Sequence, residues 1–127
     1  MPKNIKILHY TPTFAPAWQY GGPILSISQL CESLIKEKQT VEVFTTNSGL
    51  KENQEILPNI KLVRNGVTVT YFDANYFFGI HSKNMEKAIC ERLNNFDILH
   101  ISGIWQPTSY KACIQAKKQN IPYVISP

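Results

Sequence analysis

The sequence predicts an α/β fold: a Rossmann-like, doubly wound, mostly parallel sheet with helices on both faces. Three observations lead there. Short β-branched runs alternate with stretches of helical periodicity along the whole of the 127 residues. The connections between strands are too long for tight antiparallel turns except at Asn65-Gly66. A chain of this length with 43% hydrophobic residues can bury one real core, so a single domain, 1–127, is expected and two independent lobes are not.

Ile5 to Tyr10 is a short apolar run and reads as the first strand. Thr11 to Gly22, with Pro12, Pro16 and Gly21-Gly22, reads as a long loop. From Pro23 the apolar positions Ile24, Ile27, Leu30, Cys31, Leu34 and Ile35 recur every three or four residues. That spacing puts them on one face of a helix of about four turns. Pro23 suits its first position because the missing N–H costs nothing there, and Gly22 can cap it. Val41 to Thr46 makes a second strand and the polar stretch Leu50 to Asn59 a loop.

Ile60 to Arg64 and Val67 to Phe72 flank Asn65-Gly66, a strong short-range signal for a hairpin. Ser82 to Asn94 follows as a second helix with Met85, Ala88, Ile89, Arg92 and Leu93 on one side and Phe96 closing it. Ile98 to Ser102 is a strand, Thr108 to Gln119 a third helix with Ala112, Cys113 and Ala116 inward, and Tyr123 to Ser126 a last strand. A closing helix would be expected after it in a self-contained sheet of this kind.

Composition removes several classes of function. No run approaches the ~18 apolar residues of a membrane span, and the N-terminus lacks the apolar core of a signal peptide, so a cytoplasmic protein is expected. The net charge of +4 is spread along the chain, with Lys117-Lys118 as the one adjacent basic pair. That pattern does not mark a nucleic-acid binder; a solvated face accounts for it, and a peripheral contact with a membrane surface or an anionic ligand is compatible with it. Cys31, Cys90 and Cys113 have neither metal nor disulfide spacing and are expected as small buried residues.

Familiar site motifs are missing too. No G-x-G-x-x-G follows the first strand, and the second ends in Thr45-Thr46 rather than an acidic residue, which argues against a nicotinamide dinucleotide site. G-x-x-x-x-G-K-[ST], G-x-S-x-G and an acidic pair after the first strand are likewise absent.

In doubly wound sheets ligands bind beyond the carboxyl ends of the strands, which directs attention to the first loop. Gly21-Gly22-Pro23 at a helix start offers the N–H groups of Gly21, Gly22, Ile24 and Leu25 beside the positive end of the helix dipole, where a phosphate or carboxylate is stabilised. The same residues would serve merely to turn the chain. The preceding loop crowds Tyr10, Phe14, Trp18 and Tyr20 together in a Pro-rich setting too polar for a core, and aromatics there suit flat apolar surfaces such as sugar rings.

Of the histidines, His9 is in step with Ile5 and Ile7 and is expected in the core or at the sheet end, while His81 is expected in solvent. His100, near the end of the fourth α/β strand and shortly before Trp105, can hydrogen-bond a ligand hydroxyl or phosphate, or be a satisfied buried residue. None has a carboxylate or serine partner at a spacing that marks a catalytic base.

The run ILHYTPTFAPAWQYGGP, a helix ending in LIKEK, and then VEVFTT resemble the opening of glycosyltransferase family 4 enzymes. DILHISGIWQPTSYKACIQAKKQNIPYVISP is similar to the second half of the same N-terminal domain. The resemblance covers most of the chain, and the order and spacing of its pieces carry it.

It implies a GT-B architecture, two Rossmann-like domains across a cleft, moving a sugar from a nucleotide-sugar donor to a glycan or lipid-linked acceptor with retained configuration, as in polysaccharide biosynthesis. This domain would be the acceptor side, with Gly21 and Gly22 near the donor phosphates and Tyr10, Phe14, Trp18, Tyr20, His100 and Trp105 as acceptor-side candidates. No metal or other cofactor is implied. Leaving-group charge would be met by main-chain dipoles and by basic side chains of the C-terminal donor-binding domain.

The chain departs from the family pattern in three places. Ser102 stands where a second histidine is common, two positions after His100, and Gln39-Thr40 where a glycine usually precedes the second strand. The family's catalytic histidine would follow Ser126-Pro127, so the expectation is a domain inactive by itself. Two other classes compete with this one: a free-standing Rossmann-like module binding an anion or nucleotide without catalysis, and an interaction domain using exposed Trp18 and Trp105.

Overall fold

A computed structural model describes residues 4–76 and 78–126. Pro127, where the family pattern would run on, lies outside them. The elements are β1 (Lys6–Tyr10), α1 (Gly22–Lys36), β2 (Thr40–Thr46), β3 (Lys61–Arg64), β4 (Val67–Phe72), β5 (Asn75–Tyr76), β6 (Ile80–His81), α2 (Lys83–Arg92), β7 (Ile98–Ser102), α3 (Pro107–Gln119) and β8 (Tyr123–Ser126). Short 3₁₀ turns cover Trp18–Tyr20 and Leu93–Asn95.

Six strands form one sheet in the order β3-β4-β2-β1-β7-β8, while β5 and β6 make a separate small ribbon. All pairings in the large sheet are parallel except β3 with β4. Asn65 and Gly66, at φ of 50° and 81°, turn β3 back into β4 with Arg64 opposite Val67. From β1 the chain first builds outward through β2 and β4, then returns to lay β7 and β8 on the other side of β1. The reversal opens a crevice at the carboxyl ends of β1 and β7.

Two buried clusters fill the two faces. Ile24 and Cys31 of α1 pack on Val41, Val43, Val67, Val69 and Tyr71. Met85 and Ile89 of α2 and Ala112 and Ala116 of α3 pack on Leu8, Tyr10, Phe44, Leu99 and Ile101. Strand alternation sends neighbouring residues of one strand to opposite clusters, as Val43 and Phe44 do. Arg92, expected on the inner side of its helix, donates to Glu42 Oε2 at 2.8 Å and lies over the Phe44 ring, tying α2 to β2.

Local chemistry sets the helix ends. Gly21 rather than Gly22 caps α1, Gly22 is its first residue and Pro23 its second. Ser82 Oγ caps α2 by accepting from the Met85 N–H at 3.2 Å. Asn120 ends α3 in the left-handed conformation with φ of 56°. The cysteines do not share one fate: Cys31 is buried, Cys113 half-buried and Cys90 exposed on the outer side of α2, so burial fails for the last. His81 is half-buried 3.8 Å from Glu86, not simply solvated. Among the described residues no helix is long and apolar enough to cross a membrane.

Candidate functional site

The crevice at the β1/β7 reversal is a cavity of about 640 Å³. One wall is the start of α1 with Gly22, Ile27 and Leu30, another the loop after β1 with Thr11 to Thr13, and the floor is His9, His100, Ser102 and Ser126. Parallel register sets His9 beside His100. Their rings stack with centroids 4.3 Å apart at an interplanar angle of 29°. His9 Nε2 shares a hydrogen bond with Ser102 Oγ at 3.0 Å, and His100 Nε2 one with Ser126 Oγ at 2.7 Å. Ser102 thus serves as the partner of His9.

The loops around the cavity are held close. Thr46 Oγ1 donates to Pro12 O at 2.6 Å and the Thr11 N–H to Phe44 O at 3.1 Å, anchoring the first loop to β2. Gly103, at φ of 72°, sits where a Cβ would come within 2.9 Å of the Pro12 ring, so the loops after β1 and β7 meet only because that side chain is missing.

Among the described residues the lining contains no Lys, Arg, Asp or Glu. Its histidines are neutral as well: burial, reinforced by repulsion from His100, holds His9 down at about 3, and burial lowers His100. The Cys31 thiol, 3.8 Å from His9 Nδ1, is pushed up to about 12 by burial and stays protonated. His9 is fully buried with both ring nitrogens engaged, so of the floor the half-buried His100 and Ser126 offer uncharged hydrogen-bonding groups, and positive potential comes from the N-terminal end of α1.

That helix end offers less than its sequence suggests. The Gly21 N–H donates to Trp18 O at 3.0 Å and the Ile24 N–H to Gly21 O at 3.2 Å, and Leu25 lies within the helical ladder, so of the expected set the Gly22 group is left for a ligand. Gly21 itself does not line the cavity; its φ of 91° makes it a turning residue. Gly22 does line it, has ordinary helical geometry, and would meet nothing within 4 Å if it bore a Cβ. The fold does not require glycine there, and the missing side chain leaves the main chain open to close approach.

The expected aromatic cluster divides. Tyr10 and Phe14 are buried and therefore cannot stack on a ligand: Tyr10 packs beneath α2 and α3 with its hydroxyl 2.7 Å from Thr108 Oγ1, and Phe14 joins the α1-side core. Trp18 and Tyr20 are exposed, Trp18 with the Arg64 guanidinium 6.0 Å above its ring. Trp105, after β7, is 86% exposed. None of these five lines the cavity, so among the candidates it gathers Gly22 and His100. It adds His9, Ser102 and Ser126, whose meeting depends on strand order. Among the described residues no cluster of three His, Cys, Asp or Glu could hold a metal ion.

No family model matches the chain. No curated protein matches it either. Among solved structures it is similar to the C-terminal domain of a hydrogenase from Pyrococcus furiosus, with TM-score 0.56 and 16% identity over 100% of this chain and 95% of that one. At that identity the likeness shows the α/β fold alone.

Proposed function

We propose that this chain is the acceptor-side domain of a retaining, two-domain GT-B glycosyltransferase. The observation that carries the reading is the cavity at the β1/β7 reversal, where a helix beginning on an unconstrained glycine faces a floor of neutral imidazoles and hydroxyls. Such a floor suits sugar hydroxyls, which both accept and donate, better than a second anion. A phosphate of a nucleotide-sugar donor would meet the Gly22 end of α1. With no cation in the lining, the rest of the diphosphate charge needs basic groups from elsewhere, which fits a second, donor-binding domain across the cleft. The acceptor on this reading is a glycan or a lipid-linked sugar in polysaccharide assembly, the latter bringing the enzyme to the inner face of a membrane. The ordered resemblance of residues 6–46 and 97–127 to family 4 enzymes supports it independently.

The test is a ¹H–¹⁵N titration of the chain with UDP-, GDP- and ADP-glucose beside inorganic phosphate. Weak binding that moves the Gly22 amide and its neighbours together with the His9 and His100 ring resonances is expected. If phosphate alone moves the amides, the chain is an anion-binding module; if nothing does, the reading fails.

A further inference from the structure

A second arrangement lies outside that cavity, where the segments that follow β1, β2 and β4 meet. Ser48 is fully buried, and two tyrosines from different segments converge on its hydroxyl. Tyr20 Oη lies 2.7 Å from Ser48 Oγ, and Tyr76 Oη donates to the same oxygen at 2.8 Å. Both residues nevertheless remain open to solvent, 43% exposed for Tyr20 and 58% for Tyr76. Tyr76 lines a depression of about 510 Å³ with Gly49, Lys51, Glu52 and Asn53, and Tyr20 stands beside Gly49 at its side.

Surface tyrosines ordinarily keep the ring against protein and give the hydroxyl to water. Here the polar tips are used internally on a buried serine, while each tyrosine keeps about half of its surface exposed. The tether also fixes the rings, so a ligand stacking on them has little side-chain entropy left to remove. The Lys51 ammonium is fixed too, donating to Ala74 O at 2.8 Å and lying 5.2 Å from the Tyr76 ring centre. The platform depends on Gly49, where a Cβ would stand 2.4 Å from Gln19 Nε2 and 2.9 Å from Tyr20 Cε2.

Half-exposed tyrosines beside an ammonium, a carboxylate and an amide describe a ligand with an apolar face and a hydroxyl-bearing edge. We propose that Tyr20, Ser48 and Tyr76 form a carbohydrate subsite, in which a pyranose stacks on the tyrosines and turns its hydroxyls to Lys51, Glu52 and Asn53. The identity of that sugar as part of the acceptor glycan rests on the glycosyltransferase reading; the binding of a saccharide does not.

The experiment is an NMR titration of the chain with maltotetraose, chitotetraose and a tetragalacturonate. Shifts centred on Ser48, Gly49 and Tyr76, without movement of Gly22, are expected from at least one of them. Tyr76→Ala and Tyr20→Ala should each weaken binding roughly tenfold, and Tyr76→Phe, which keeps the ring and frees it from Ser48, several-fold. The melting temperatures of these variants check that the fold is kept. Failure of all three saccharides to move these amides overturns the subsite, as does unchanged affinity in a folded Tyr76→Ala. The two proposals can fail separately: saccharide binding without any nucleotide-sugar effect at Gly22 leaves this subsite and removes the transferase reading, and the converse does the opposite.

Discussion

On β1 and β7, Leu8, Tyr10, Leu99 and Ile101 lie fully buried beneath α2 and α3, whereas their strand neighbours His9, His100 and Ser102 turn the other way and floor the cavity. The same two strands thus carry an apolar face that holds the fold and a polar face that floors the cavity. The two-residue period of a strand makes this division of labour available at no cost to pairing. One residue belongs to both sides of it: His9 floors the cavity and is itself fully buried.

If the faces are separable, damage to one should spare the other. Ile101→Ala removes a fully buried side chain and should cost about 3 kcal/mol, lowering Tm by roughly 10 °C. Urea denaturation measures the loss. Nucleotide-sugar shifts at Gly22 in the folded variant should stay unchanged, and a parallel fall in affinity would show that the faces are coupled.

The two faces also differ in how far they can be read from sequence. Alternation along β7 and helical spacing along α1 are local patterns, and both elements are placed by them within a residue or two. Phe14 was not legible in that way. Its loop has the composition of an exposed segment, yet Tyr71 Oη donates to Ala15 O and Thr46 Oγ1 to Pro12 O, and these long-range bonds draw it in against α1. The site divides similarly. Gly22 is legible by its place at a helix start and His100 by its place near the carboxyl end of a strand, but the pairing of His9 with His100 and Ser102 requires knowing that β7 lies next to β1. Strand order is fixed by packing across the whole sheet, not by any window of residues.

The residue shared between the faces gives a pH signature. His9 is held at about 3 in the fold, against an ordinary 6.5. The unfolded chain therefore binds a proton between those values that the folded chain refuses. Stability from this group is full above pH 6.5 and declines as the pH falls from there towards 3, by about 2 kcal/mol between pH 6.5 and pH 5. Denaturation midpoints across that range test it. His9→Gln should lower stability at neutral pH by loss of the ring stack and flatten the slope; an unchanged slope would assign the pH dependence to other groups.

The smallest effects separate what the fold demands from what a ligand demands. Gly21 and Gly22 are adjacent and stand at one helix start, but only Gly21 occupies a backbone region closed to side chains, with φ of 91° and ψ of −157°. Gly21→Ala should cost about 1–2 kcal/mol in thermal or chemical denaturation. Gly22→Ala meets no neighbour and sits in a helix, so its stability should stay level or rise by about 0.5 kcal/mol. Any weakening of phosphate or nucleotide-sugar binding in Gly22→Ala would then arise in the ligand-bound state alone, because the free protein has nothing to lose by the added methyl group. Retained binding in both Gly22→Ala and the bulkier Gly22→Val would move the anion away from this helix end.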